Sequence, residues 1–110
     1  MDLATLLVEK FKCKTRAVEN PVTTSIGATA ALVFNNNPNR LAWVLVNLSA
    51  NALYIGLTPQ VSATNGIYIP PNGGWRSMIW DEDFQMTGWG IWGVAPAGAS
   101  NCYSIEVVVQ

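Results

Sequence analysis

A chain of 110 residues is one domain's worth of polypeptide, long enough to fold round a single core without metals or disulfide staples. Half of the residues are hydrophobic and 12% are charged, about half the usual charge of a soluble domain, which excludes intrinsic disorder and points to surface that other chains cover. A formal net charge of −1 gives no overall field that would draw the protein to nucleic acid, and no apolar run approaches the ~18 residues of a membrane span.

Residues 2–12 carry the one clear helical pattern. Leu3, Leu6, Leu7 and Phe11 fall on one face, and Asp2 stands where an N-cap is needed. No basic region precedes this stretch, so it does not read as a signal peptide, and synthesis in the cytosol is expected. Three turns of helix are marginal alone, so the helix needs a surface to lie on. Residues 13–21 alternate in character and end at Pro21. With Lys10, Lys12, Lys14 and Arg16 they suggest an extended basic arm. Such a stripe is either a solvated face or a contact for an acidic patch on a partner protein. No aromatic residues are interleaved with it to stack on bases. Residues 1–21 are therefore expected to form a helix and arm, and residues 22–110 a separate β domain.

From Val22 onward the punctuation is that of a β protein. Ile26 to Phe34 is a strand candidate that ends at the turn cluster Asn35-Asn36-Asn37-Pro38-Asn39. Leu41 to Leu48 is apolar on both faces, as a strand covered from both sides would be. Ser49-Ala50-Asn51 leads into Ala52 to Leu57, and these two strands are expected to pair as a hairpin. Gly66 to Ile69 stops at Pro70-Pro71, and Asn72-Gly73-Gly74 opens the strand Trp75 to Trp80. The acidic turn Asp81-Glu82-Asp83 precedes a short strand at Phe84 to Thr87. Strands at Trp89 to Val94 and Cys102 to Val109 follow. Seven or eight short strands with a turn about every ten residues predict an all-β fold, a compact antiparallel β-sandwich or small barrel.

Residues that could carry chemistry are sparse. The sequence has no His, which removes the commonest general base and the usual zinc ligand. Gly73-Gly74 is followed by Trp75-Arg76 and a strand, unlike a phosphate-binding loop. The three carboxylates at 81–83 lack the spaced ligands of a calcium loop and read better as a solvated turn or edge guard. An acid pair for glycoside hydrolysis would need Glu106 or Glu9 to approach them, and nothing in the sequence supports that. No catalytic residue, cofactor site or metal site is expected. Cys13 and Cys102 are too few for a disulfide scaffold and read as reduced thiols, with a bridge between the N-terminal segment and the last strand as the alternative. Asn47-Leu48-Ser49 matches a glycosylation acceptor but sits at the end of an apolar strand, and is read as chance.

Five tryptophans are more than so small an interior can hide. Trp43 lies in the most apolar strand and is expected in the core. Trp75 and Trp80 differ by five positions and Trp89 and Trp92 by three. On strands each pair points to opposite faces, so at least one of each is a candidate contact. An outward Trp beside Tyr54 or Tyr68 could instead stack on a sugar ring, the alternative function.

The stretch from Asn37 to Gly74 has a distinctive turn grammar. Asn37-Pro38-Asn39-Arg40 leads into an apolar strand ending at Asn47. Ser49-Ala50-Asn51 and Leu53-Tyr54-Ile55-Gly56 follow, and Gly66 and Ile69-Pro70-Pro71-Asn72-Gly73-Gly74 close the stretch. In this it resembles small β-rich accessory and decoration-type structural proteins of tailed-phage virions. Physically, Arg40 can cap a loop or pair with a carboxylate, and Asn47 and Asn51 can hydrogen-bond backbone around the turn. Gly56 permits a bulge or close approach. The resemblance implies a non-enzymatic virion component that binds a major capsid or other virion protein and its own copies, with threefold assembly the form such proteins often take. Its contacts would come from Leu3, Leu6, Leu7 and Phe11, the basic stripe, and the outward members of Trp75, Trp80, Trp89 and Trp92.

Overall fold

The computed structural model describes residues 2–22 and 25–110; Met1 of the expected N-terminal segment, Thr23 and Thr24 lie outside them. Helix α1 spans Leu3–Phe11. The Asp2 side chain accepts from the Thr5 amide at 2.8 Å, as an N-cap must to satisfy one of the donors left free in the first turn. That bond holds the Asp2 carboxyl below its ordinary pKa. Lys12 ends the helix in the left-handed region (φ 61°), its amide donating to the Val8 carbonyl.

Nine strands follow among the described residues: β1 Thr15–Glu19, β2 Ser25–Ile26, β3 Ala31–Phe34, β4 Arg40–Asn47, β5 Leu53–Gly56, β6 Ile67–Ile69, β7 Trp75–Ile79, β8 Ile91–Val94 and β9 Ser100–Val109. They form two antiparallel sheets. The larger has the order β1-β9-β4-β7 with β2 also on β9, and the smaller is β3-β8-β5-β6. The two pack as a β-sandwich round Ile26, Phe34, Trp43, Leu45, Leu53, Ile55 and Ile69. Trp43 is 1% exposed, as its strand predicts, and its ring lies 5.0 Å from that of Phe34.

Two sequence expectations are corrected. First, β4 and β5 do not form a hairpin: β4 pairs with β7 and β9, and β5 with β6 and β8. The turn after Asn47 carries the chain across the sandwich, and Asn47 holds it there. Its side-chain nitrogen donates to the Asn51 carbonyl at 2.8 Å, and its oxygen accepts from Ser100 Oγ at 2.7 Å and from the Ser49 amide at 3.1 Å. The Pro70–Gly74 turn crosses back beside it. The Gly73 amide donates to the Asn47 carbonyl and the Asn47 amide to that of Gly74. A side chain at Gly74 would lie 2.2 Å from the Pro70 carbonyl oxygen, so only glycine fits.

Second, Phe84 to Thr87 is not a strand, and the strand expected to run to Trp80 stops at Ile79. A single turn of helix, α2 (Trp80–Asp83), runs into a 3-10 turn over Phe84–Gly88. Asp83 accepts from the Ile79 amide at 2.9 Å, which caps this reversal. Cys13 and Cys102 are both free, as the sequence reading of reduced thiols has them. Thr15 pairs with Val109, and Cys102 lies seven residues back along β9, about 23 Å at the rise of an extended strand. Burial pushes the Cys102 thiol pKa up. Residues 15–19 of the expected arm pair along their whole length with β9.

Candidate functional site

The polar chemistry of the interior is committed to the fold. Arg40 is buried on β4. Its Nε donates to Glu106 Oε2 at 2.7 Å, and its other nitrogens donate to the carbonyls of Asn35, Thr87 and Trp89. Its guanidinium also stands 5.1 Å from the Phe34 ring centroid. The pairing of Arg40 with a carboxylate, open in the sequence, is thereby specified, and Glu106 is occupied inside the sandwich. Among the described residues no group of three or more His, Cys, Asp or Glu side chains is arranged to hold a metal. A pocket between the sheets, lined in part by Ile55, Met78, Met86 and Arg76, measures about 160 Å³. Small-molecule sites usually run to roughly 300–1,000 Å³. No described helix is long and apolar enough to cross a membrane.

The unusual chemistry is on the outside. Strand β9 reverses the ordinary alternation over most of its length. Its inward positions hold Ser100, Cys102, Ser104 and Glu106 before Val108, all buried, whereas the half-buried Tyr103, Ile105, Val107 and Val109 point outward. Two of the inner set meet polar partners on β4, Ser100 at Asn47 and Glu106 at Arg40, whereas the Ser104 hydroxyl is buried without a hydrogen-bond partner. The outer set lies beside Val46, Val44 and Ala42 of β4, which in turn pair with Trp75, Ser77 and Ile79 of β7. The strand predicted to be covered on both faces is thus covered by its own chain on one. Glu19, opposite Ile105 on β1, puts a charge on this outer face. It accepts from the Tyr103 hydroxyl at 2.8 Å, the main reason the phenol pKa lies above its ordinary value.

Helix α1 stands at the end of this sheet where β1 begins and β9 finishes. None of its residues is buried: Leu3 is 69% exposed, and Leu6, Val8 and Phe11 are also open. Leu7 is half-buried beside a groove of about 400 Å³ shared with Cys13, Lys14, Thr15 and Gln110. Phe11 meets Trp80 edge to face, with centroids 5.8 Å apart. Of the other candidate contacts, Lys10, Lys12, Lys14 and Arg16 are exposed round the junction of α1 and β1. Trp75 is 65% exposed on the outer face of the larger sheet. Trp80 and Trp89 are exposed but lie outside strands, so strand parity does not govern them, and Trp92 is half-buried on β8. The structure therefore gathers Leu3, Leu6, Leu7, Phe11, the basic stripe and Trp80 at one end, puts Trp75 on the adjoining sheet, and leaves Trp92 on the other sheet.

Sequence reasoning missed two features. Ile105, Val107 and Val109 look like core residues until Glu106, between them, is seen to turn inward; the carboxylate in an apolar run was the available signal. Phe84, 76% exposed, has a positive φ of 56°, and no local motif announces it.

No family model matches the chain, and no curated protein does. Two solved structures are similar. One, described as "Bacillus endospore appendages form a novel family of disulfide-linked pili", is 9% identical with a TM-score of 0.49, covering 88% of this chain and 85% of that one. The other, a Tobacco streak virus coat protein, is 12% identical with a TM-score of 0.33, covering 86% of this chain and 85% of that one. At these scores neither likeness bears on what the protein does.

Proposed function

We propose that this protein is a non-enzymatic structural subunit, a virion component of the decoration or minor head or tail kind, that stabilises an assembly through contacts with other virion proteins and with its own copies. The observation that supports this is the inverted polarity of β9. A strand that buries Ser, Cys and Glu and turns Tyr, Ile and Val outward makes sense when a second surface covers its outer side. The exposed face of α1 adds a second apolar surface of the same kind. Light scattering on the purified protein at micromolar concentration should show a stable oligomer, and a strict monomer would count against the reading. Removal of residues 1–16 should abolish attachment to capsids or tails.

A second reading, a carbohydrate-binding module, is favoured by one observation. Tyr54 and Tyr68 pack with ring centroids 5.6 Å apart on the outer face of the smaller sheet. Trp92 lies one strand away on the same face, opposite Gly56. Quenching of tryptophan fluorescence by added polysaccharide would support it, and an unchanged signal would remove it.

A further inference from the structure

We infer that α1 of one copy seats on the outer face of the larger sheet of a second copy, so that each copy both gives and receives a helix. The inference rests on the assembly reading above and names the surfaces that meet. Two apolar surfaces of one chain reach solvent: the α1 stripe of Leu3 and Leu6 beside the half-buried Leu7, and the sheet face on which Val44, Trp75 and Ile79 are exposed beside the half-buried residues of β9. Their dimensions match. Nine helical residues span about 14 Å, and the four strands β1, β9, β4 and β7 spread over about 14 Å between the outermost axes.

The signs of charge agree as well. Lys10 continues the helical stripe one turn beyond Leu6 and Leu7, and Glu19 puts a carboxylate on the receiving face, where it accepts from Tyr103. The helix does not reach its own sheet face. The left-handed cap at Lys12 and the contact of Phe11 with Trp80 hold it at the sheet's end, and three residues separate it from β1. Area requires reciprocity. A nine-residue helix is a small contact beside the roughly 1,600 Å² of a standard interface, so a stable assembly needs each copy to take part twice. A two-fold pair or a closed ring satisfies this.

The test uses the full chain in a Cys13→Ser background, Cys102 being buried. Copies carrying Leu6→Cys and differently sized copies carrying Val44→Cys are mixed and mildly oxidised. The expected product is a disulfide between the two kinds of chain. Val44→Glu, on an outward position, should reduce the assembled species at least tenfold with an unchanged circular dichroism spectrum. An oligomer that forms no such cross-link and survives Val44→Glu would overturn this inference and leave the assembly reading standing. A monomeric parent protein would overturn both. A chain bearing both cysteines that closes on itself at high dilution would show α1 folded back on its own sheet, and would overturn the exchange alone.

Discussion

Strands β5 and β9 sit near the middle of opposite sheets and use the same alternation to opposite ends. In β5, Leu53 and Ile55 point into the sandwich, and the half-buried Tyr54 faces outward. In β9 the inward places go to Ser100, Cys102, Ser104 and Glu106 before Val108 closes the row, and Tyr103, Ile105, Val107 and Val109 face out. The smaller sheet also receives cover from its own chain: Val61 packs over Gly56, within 3.2 Å of where a side chain would begin. The outer face of the larger sheet receives no comparable loop among the described residues. The difference separates two kinds of apolar residue. Those of β5 hold the monomer together, and those of β9 are free to hold something else.

Mutations can break this contrast at graded cost. Glu106→Ala should be the most damaging, because it strands the buried Arg40 guanidinium without its carboxylate. Loss of one partner of a buried pair costs about 3–5 kcal/mol, to be read from urea denaturation. Leu53→Ala on β5 should cost about 2–5 kcal/mol through the cavity it leaves, so a charged and an apolar interior position should prove similarly expensive. Asn47→Ala should cost about 1–3 kcal/mol, since Ser100, the Ser49 amide and the Asn51 carbonyl each lose a hydrogen bond, and Ser49 Oγ remains to the first and the last. Ile105→Thr, outward on β9, should lower monomer stability by about 1 kcal/mol or less while reducing the assembled fraction by light scattering. If it instead destabilises as much as Leu53→Ala, the distinction between the two strands fails.

The smallest effect belongs to the cap of α1. The carboxyl of Asp2 has a lowered pKa in the folded chain, so its contribution is complete above the ordinary value of about 3.9. It is lost as the pH falls through the folded value. The Thr5 amide, followed by NMR, should hold its position from neutral pH to about 4 and shift below that. In Asp2→Ala the same amide should be shifted throughout and flat across this window.

Much of the architecture is legible in the residues, and the illegible parts have a common cause. The α1 boundaries follow from Asp2 and the leucine spacing, Trp43 from its strand, and the all-β class from regular punctuation. Arg40, Asn47 and Gly56 play the kinds of role their chemistry allows. The route of the chain after Asn47 is different. A five-residue turn serves a hairpin or a crossing between sheets equally well, and the choice falls to Ser100 and the Pro70–Gly74 turn, both far away in sequence. The 80–88 segment reads locally as a turn and a strand, but Arg40 gathers the carbonyls of Thr87 and Trp89 and a 3-10 turn results. The direction in which β9 faces is fixed in the same way, by partners on β4.

The pairing of β9 also sets the order of events when the chain folds. Val109 lies opposite Thr15, and Asn101 opposite Ser25, so both early strands wait for the same late one. Strand β4 waits for it too along most of its length. Contacts between residues so far apart in sequence slow folding, because the entropy of closure is lost before the pairing is gained. Strands β4 and β7 can pair early, but β1 and β2 have no partner strand until β9 arrives.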